Sequence, residues 1–316
     1  MSENARGFNR KAEQMDKNGD PMAQALTRLQ VAPPDPARPV LLAGPTASGK
    51  SALALTIAEA QERVIINADA LQVYDMWHVL TARPDARDCA RVPHLLYGCV
   101  TRGQDWSVGH WLRAVRDLLE QYPNPVIVGG TGLYFRALTE GLAEIPGTPP
   151  DIRAKGDTIL AQQGLDALLD DLDAPTRARI DTANPARVQR AWEVLRTTGQ
   201  GLAGWQDQTP PPLLPSDMTT AFVLRPQVDW LNARINRRFD EMLTQGGQSE
   251  ARDALPHWDA QAPWAKAIGA PELIAHLQGH MSWHDARDAA KLATRQYAKR
   301  QRTWFRSRMK TWLELI

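Results

Sequence analysis

The chain has 316 residues, of which 43% are hydrophobic and 23% are charged, and this composition is typical of a folded protein with about two domains. A net charge of +1 excludes a strong overall field toward nucleic acid, so any basic surface must be local. No apolar run approaches the ~20 residues of a membrane helix, and the N-terminus lacks an apolar signal segment. We therefore expect a cytoplasmic protein that makes no use of a membrane.

The first 138 residues predict a tail followed by alternating strands and helices. Residues 1–38 are polar and then proline-rich ("VAPPDPARP"), so we expect a disordered tail. From residue 39 the segments "VLLAG", "RVIINAD" and "NPVIVGGTG" predict buried strands, and "HLLYGCV" is a weaker strand candidate. Helical patterns lie between them. This alternation predicts an α/β fold in which a parallel sheet has helices on both faces.

The pattern changes after residue 138. Residues 139–216 contain helical patterns without a convincing strand, so we predict a helical insertion domain that ends near "PPPLLP". The segment "TTAFVL" predicts a strand that returns to the sheet. Residues 217–316 are therefore expected to complete the core and to end in a helical C-terminal region.

The stretch "LLAGPTASGKSALAL" predicts a phosphate-binding loop between a strand and a helix. It fits the P-loop pattern G-x-x-x-x-G-K-[ST], in which backbone N–H groups and a helix N-terminus converge on phosphate oxygens. The lysine supplies a positive charge, and the final hydroxyl is a ligand for Mg²⁺. The predicted loop consists of Gly44, Pro45, Thr46, Ala47, Ser48, Gly49, Lys50 and Ser51.

The loop alone leaves the reaction open. The strand "PVIV" ends in two glycines and Thr131, without the carboxylate that usually holds Mg²⁺ in nucleotide-hydrolysing enzymes. Asp69 follows the strand after the P-loop helix, where an acidic group can face an acceptor substrate, although aspartate is also a common turn residue. On these residues, a P-loop small-molecule or nucleoside kinase that uses ATP is one hypothesis.

Nine segments narrow the choice by their order and spacing. They are "GPTASGKS", "NADALQVY", "TARP", "VGGTGLYFRAL", "EGL", "NPARVQRAWEV", "ARINRRFDEML", "AIG" and "TRQYAKRQRTWFR". Over residues 39–309 the chain resembles the bacterial tRNA dimethylallyltransferases (tRNA isopentenyltransferases). The resemblance implies transfer of a dimethylallyl group from dimethylallyl diphosphate to the exocyclic N6 amine of the tRNA adenosine 3′-adjacent to the anticodon (position 37), with release of diphosphate.

The resemblance also implies roles for individual residues. Asp69 resembles the family's general base, and Thr131 resembles a threonine at the phosphate end of the donor. Arg238 resembles a diphosphate-binding arginine, although Arg234 and Arg237 on the same predicted helix remain alternatives. The P-loop would hold the diphosphate together with Mg²⁺, for which Ser51 is the expected ligand.

The predicted RNA contacts lie in three segments. Gln72 in "DALQVY" resembles a residue that reads the flipped base, and "NPARVQRAWEV" resembles a segment that grips the anticodon stem-loop. The C-terminal cations Lys291, Arg295, Lys299, Arg302 and Arg306 recur at helical spacing, which predicts either a solvated face or an RNA surface. The expected tRNA-binding residues are Asp69, Ala70, Leu71, Gln72, Arg187, Arg190, Arg295, Lys299 and Arg302.

The chain departs from the family pattern at several positions. Ala70 stands where the family often has serine, and Leu80 and Arg83 replace glycine and lysine of the frequent "GTAKP". Ala270 replaces the tyrosine of "IGY", where an aromatic ring could stack on RNA. We nevertheless expect an active enzyme, monomeric and without an obligate protein partner. A non-catalytic RNA-binding protein with a relic loop is a further hypothesis.

Overall fold

The structure is a computed structural model that describes residues 20–316, and these residues form two compact units. One unit comprises the described chain up to Arg136 together with Leu214–Ile316, and the other is Ala137–Leu213. The second unit corresponds to the insertion that the sequence predicts at residues 139–216. Residues 1–19 of the predicted tail lie outside the described residues.

The elements follow one another in an alternating order up to the second unit. They are α1 (Pro21–Val31), β1 (Val40–Ala43), α2 (Lys50–Ala60), β2 (Ile65–Asn67), α3 (Ala86–Arg91), β3 (His94–Leu95), α4 (Val108–Gln121), β4 (Val126–Gly129) and α5 (Gly132–Glu140). The second unit continues with α6 (Pro150–Gln163), α7 (Leu165–Asp170), α8 (Ala174–Arg179), α9 (Pro185–Thr198) and α10 (Leu202–Asp207).

The chain then returns to the first unit and continues mostly in helices up to a short final strand. These elements are β5 (Thr220–Val223), α11 (Val228–Met242), α12 (Gln248–Ala254), α13 (Ala270–Leu277), α14 (Trp283–Arg308) and β6 (Leu313–Glu314). A π-helical turn, Leu243–Gly247, joins α11 to α12. Across residues 20–316 we find no helix with the length and apolar character to cross a membrane.

Six parallel strands form the sheet in the order β3-β2-β4-β1-β5-β6. Strands β1 and β4 are buried along their whole length, which explains their uninterrupted apolar sequences. The prediction of an α/β fold with a parallel sheet is confirmed. Sequence patterns missed β6, because a two-residue strand at the end of the chain has no periodicity of its own.

The predicted disordered tail is wrong for residues 21–31, which form α1. Pro21 occupies the first turn of the helix, where proline is tolerated because no N–H partner is needed there, and the Asp20 side chain caps it. Ala25 and Leu29 are buried in the core cluster that also contains the P-loop helix. Arg28 Nη1 donates to the carbonyl oxygens of Glu314 and Leu315, at 3.2 and 2.9 Å. Helix α1 is thus tied to the opposite end of the chain.

The second unit has a small helical core of its own. Leu168 and Leu169 of α7 pack with Val188, Ala191 and Trp192 of α9. The buried face of α9 thus recurs at helical spacing, which leaves the intervening positions for polar side chains. The sequence "NPARVQRAWEV" therefore serves a structural role on one side and presents charge on the other.

The docking of α1 can be tested at one buried side chain. We predict that Leu29→Ala lowers the free energy of unfolding by about 2–4 kcal/mol, because it leaves a cavity in the core. Val31 lies on the same helix with 55% of its surface exposed, so Val31→Ala should change stability by no more than about 0.5 kcal/mol. Urea denaturation measures both, and equal effects would contradict the packing of α1.

Candidate active site

The sheet topology brings three predicted site segments to one edge. Strand β4 pairs with β1 on one side and with β2 on the other, and all three are parallel. Their carboxyl ends therefore lie together, which is where ligands bind in open α/β sheets. The P-loop follows β1, Asp69 lies two residues beyond β2, and Thr131 lies two residues beyond β4. Residues that are far apart in sequence thus become neighbours.

The P-loop has the backbone geometry that its sequence predicts. Gly49 adopts a φ of 91° immediately before α2, a conformation that favours glycine, and a Cβ there would overlap the Met22 side chain. Ala47 also has a positive φ, of 61°, and its carbonyl accepts a 3.0 Å hydrogen bond from Arg234 Nε. Ser48 Oγ is buried and has no hydrogen-bond partner among the described residues, so it is free to hydrogen-bond to a ligand in the loop. Ser51, by contrast, is exposed.

Lys50 is the buried cation of this loop. Its side chain donates to the Pro45 carbonyl at 3.5 Å. Burial lowers the pKa of Lys50 to about 8; the nearby Asp69 charge opposes this shift, and the Arg238 charge adds to it. Lys50, Asp69 and Arg238 therefore lie close enough to influence one another electrostatically.

Asp69 is buried and is held by its own turn. Asn67 grips the backbone of Asp69 from both sides: its Oδ1 accepts from the Asp69 N–H at 2.8 Å, and its Nδ2 donates to the Asp69 carbonyl at 3.0 Å. The Leu71 N–H donates to Asp69 Oδ1 at 3.0 Å. This hydrogen bond forms an Asx-type turn, so Asp69 has a structural role as a turn residue. It also fixes the direction of the carboxylate and leaves Oδ2 available for chemistry.

Thr131 connects the β4 loop to the Asp69 loop. Its Oγ1 accepts a hydrogen bond of 2.9 Å from the Ala70 N–H, and its own backbone N–H donates to the Ala68 carbonyl at 3.1 Å. Because the hydroxyl acts as acceptor toward Ala70, its proton remains for donation to another group. Ala70 takes part in this contact through its backbone N–H, which a serine at this position would also supply.

A cavity joins these groups to an apolar wall. It is partly open to solvent, and it has P-loop residues, Asp69 and Arg238 on one part of its lining and aliphatic and aromatic side chains on the rest. The lining residues are Thr46, Ala47, Asp69, Leu71, Leu80, Thr81, Ile235, Arg238, Phe239, Met242, Ile268, Thr294 and Tyr297. Such a cavity can accept a molecule that has an anionic end and a short apolar end.

The three arginines of α11 have different positions. Arg238 lines the cavity, and burial lowers its pKa, with the Arg234 charge acting in the same direction and the Asp69 charge against it. Arg234 supports Ala47 and lies over the Trp230 ring at 4.7 Å. Arg237 is exposed. Among these three, Arg238 is the one whose position fits contact with a bound anion.

Gln72 is committed to the protein through its amide nitrogen. Its Nε2 donates to the carbonyl oxygens of Thr81 and Ala82, at 2.8 and 2.9 Å. The side-chain oxygen is left as the atom that a base edge could use. If Gln72 reads the flipped base, as the resemblance implies, its side chain can therefore only accept a hydrogen bond from it.

The two predicted cations of α9 also differ in exposure. Arg187 is exposed and lies 3.5 Å from Asp181. Arg190 is half-buried, donates to Thr148 Oγ1 and pairs with Glu193 at 3.8 Å. Burial lowers the pKa of Arg190. Arg187 is thus the more available of the two for a phosphate, while Arg190 stabilises its own unit.

The predicted basic stripe on α14 is shorter than the sequence suggests. Lys291 is buried and donates to Asp240 Oδ2 at 2.8 Å, and Arg295 donates to Asn236 Oδ1 at 2.7 Å. Including Lys291 in an exposed stripe is wrong, because α11 supplies a carboxylate that spacing along α14 cannot reveal. Lys299 is exposed and Arg302 is partly exposed, so the open cations begin near residue 299.

Two departures from the family pattern take part in packing. Leu80 is buried and lines the cavity, and the N–H groups of residues 78–80 donate to the Glu250 carboxylate at 2.7–2.9 Å. Ala270 is fully buried at the start of α13 and therefore offers no surface to RNA. Arg83 Nη1 donates to the Asp75 carbonyl at 3.2 Å.

Sequence reasoning missed Gln301. This residue lies in the segment "TRQYAKRQRTWFR", where the cations alone predict function from their helical spacing. Gln301 is buried and hydrogen-bonds to Thr46 and to Gly130. The sequence does show an uncharged glutamine between Arg300 and Arg302, and this break in a run of cations could have indicated a residue that faces the protein.

The fold and these groups define a P-loop α/β protein with an acidic side chain beside its phosphate loop. The IPP transferase family model matches residues 72–308. The chain is 62% identical over 279 residues to a tRNA dimethylallyltransferase of Dinoroseobacter shibae, covering 87% of this chain and 93% of the relative. It is 59% identical over 293 residues to one of Cereibacter sphaeroides, covering 93% of each.

Solved structures agree with this match. A full-length tRNA isopentenylpyrophosphate transferase from Bacillus halodurans has a TM-score of 0.61 at 30% identity, covering 88% of this chain and 90% of that one. A eukaryotic dimethylallyltransferase acting on tRNA has a TM-score of 0.71 at 23% identity, covering 84% and 69%, and shows the fold alone. The chain belongs to the IPP transferase family and is a prenyl-transferring enzyme. The kinase hypothesis is not favoured.

The buried charge of Lys50 has a measurable effect on stability. The folded-state pKa is about 8 against an ordinary value of 10.5, so between these pH values the unfolded chain binds the proton and the folded protein does not. Wild-type stability should therefore gain from this group as pH rises from 8, by up to about 3 kcal/mol. Lys50→Met has no charge to bury, so at pH 8 it should be more stable than wild type. Because wild type gains stability as Lys50 loses its proton, this difference should shrink between pH 8 and 10.

Denaturation at several pH values measures this difference. Lys299→Met is the matched control, because the Lys299 ammonium is exposed to solvent. A stability difference between Lys50→Met and wild type that stays constant from pH 8 to 10 would contradict the lowered pKa of Lys50 in the folded protein.

Proposed function

We propose that this enzyme transfers the dimethylallyl group of dimethylallyl diphosphate to the N6 amine of the tRNA adenosine 3′-adjacent to the anticodon. The observation that carries the proposal is the meeting of the P-loop, Asp69 and Thr131 at one sheet edge, beside a cavity with an apolar wall. The tRNA specificity is what the names of the relatives suggest.

The diphosphate is the leaving group. Backbone N–H groups of the P-loop and the N-terminus of α2 favour an anion, and Lys50 and Arg238 add positive charge. As the carbon–oxygen bond breaks, negative charge grows on the bridging oxygen. Donors already directed at the phosphates stabilise that charge without further rearrangement. The Thr131 hydroxyl, with its proton free to donate, is a candidate for the same task.

Asp69 is the general base. The adenine amine attacks the first carbon of the dimethylallyl group, a carbon–nitrogen bond forms, and the amine must lose a proton. Asp69 Oδ1 is held by the Leu71 N–H, so Oδ2 is the oxygen that accepts this proton. A positioned base of this kind typically contributes a factor of about 10²–10⁴ to the rate.

Magnesium fits the donor set of this site. Residues 20–316 contain no cluster of acidic, histidine or cysteine side chains that could hold a metal by itself. Mg²⁺ commonly keeps several waters and binds through few protein oxygens and substrate phosphates. Ser51, with its exposed hydroxyl in the first turn of α2, would hold the ion. When bound, Mg²⁺ would neutralise charge on the departing diphosphate.

The proposed RNA contacts are cations that are exposed or partly exposed. Lys299 and Arg302 on α14, and Arg187 on α9, are available to phosphates of the anticodon stem-loop. The target adenine must leave its stack to reach Asp69, which costs a few kcal/mol that contacts in the pocket offset. We expect the enzyme to work as a monomer.

Substitution of the proposed base tests the reaction. Wild-type enzyme incubated with Mg²⁺, carbon-labelled dimethylallyl diphosphate and unmodified tRNA should label the RNA. Asp69→Asn should lower kcat by about 10²–10⁴-fold, because the amide cannot accept the proton, while tRNA binding is retained. Asp75→Asn, an exposed carboxylate in the same segment, serves as the control and should remain close to wild type.

Two results would overturn the proposal. One is transfer of phosphorus from ATP to a small acceptor by wild-type enzyme that leaves the RNA unlabelled. The other is an Asp69→Asn variant that prenylates tRNA at the wild-type rate, which would remove the base from the mechanism.

A further inference from the structure

Gln301 joins the two loops that carry the chemistry. Its Oε1 accepts a hydrogen bond of 2.8 Å from the Thr46 N–H of the P-loop. Its Nε2 donates to the Gly130 carbonyl at 3.0 Å. Gly130 immediately precedes Thr131, and the Tyr297 side chain, which lines the cavity, lies close to the Gln301 side chain. One side chain of α14 thus touches the P-loop, the β4 loop and the cavity wall.

The orientation of this amide is fixed by its partners. A backbone N–H can only donate and a carbonyl can only accept, so the side-chain oxygen must face Thr46 and the nitrogen must face Gly130. Gln301 is only 6% exposed, which means that a charged replacement would be buried. A carboxylate would repel the Gly130 carbonyl, and an apolar chain would leave both backbone groups unpaired.

The space around this contact is restricted. A Cβ on Gly130 would stand 2.2 Å from Gln301 Nε2 and 3.2 Å from Asp69 Oδ2. Glycine at this position therefore lets the amide and the carboxylate approach the same stretch of backbone. Nearer the sheet, the Gly44 N–H donates to the Gly129 carbonyl at 3.3 Å, so Gln301 extends the link between β1 and β4 beyond the ends of the strands.

We propose that Gln301 is a positioning residue, which sets the distance between the P-loop and the loop of Thr131 and so aligns the donor with Asp69. Misplacement of reacting groups by about 1 Å can cost about a hundredfold in rate. The alignment of donor and base rests on the proposed function, whereas the link between the two loops rests on the hydrogen bonds of Gln301 alone. Lys299 lies about 200° around the same helix from Gln301 and is exposed, so loss of the link should spare RNA binding there.

The test compares Gln301→Met and Gln301→Glu with Gln296→Met, an exposed glutamine on the same helix. All variants are assayed well below their unfolding temperatures, so that a loss of stability does not lower the measured rates. We measure binding of inorganic diphosphate with Mg²⁺, the KM values for dimethylallyl diphosphate and tRNA, and kcat. Gln301→Glu keeps the length of the side chain but places a carboxylate against the Gly130 carbonyl, so the two variants break the link in different ways and either one that folds serves the test.

Both Gln301 variants should weaken diphosphate binding and raise the donor KM by about 5-fold or more, and lower kcat by about 10–100-fold. The KM for tRNA should stay within about twofold, and Gln296→Met should match wild type. Unchanged diphosphate binding and kcat in folded Gln301 variants would overturn the inference, as would a rise in the tRNA KM alone. Weakened diphosphate binding with no prenylation even by wild type would support the link and refute the proposed function.

Discussion

The pairing of β4 with both β1 and β2 is the constraint on which the site depends. Because the three strands are parallel and adjacent, the segments that follow them must emerge at one edge. Each segment then needs a short backbone turn to present its polar group. Local hydrogen bonds provide these turns, such as those of Asn67 around Asp69. The sheet brings the groups together, and the turns direct them.

The charges around this edge leave an excess of positive charge in a buried region. Lys50 and Arg238 are cations that burial disfavours, and the Asp69 charge favours the protonated form of both. A bound diphosphate would add negative charge beside the two cations, which strengthens the case for anion binding here. Asp69 is then needed twice, since its charge supports the cations and its oxygen serves the proposed proton transfer.

Sequence patterns predicted those features that depend on residues close together in the chain. The P-loop and the strand before it were predictable because glycines, lysine and an apolar run form one short pattern. Other features depend on distant partners. Helix α1 packs against the core and the C-terminal segment, Lys291 is drawn to Asp240 on α11, and Gln301 contacts Thr46 and Gly130. Spacing along one helix cannot reveal which residue of another element lies opposite.

The central claim is that the P-loop releases diphosphate while the attached carbon passes to tRNA. Mass spectrometry of tRNA from cells with and without this protein tests it most directly. The account predicts a five-carbon addition on the adenine 3′-adjacent to the anticodon, present only in cells that contain the protein and lost with Asp69→Asn. Identical adenine modification in both kinds of cell, with no other source of the activity, would contradict it.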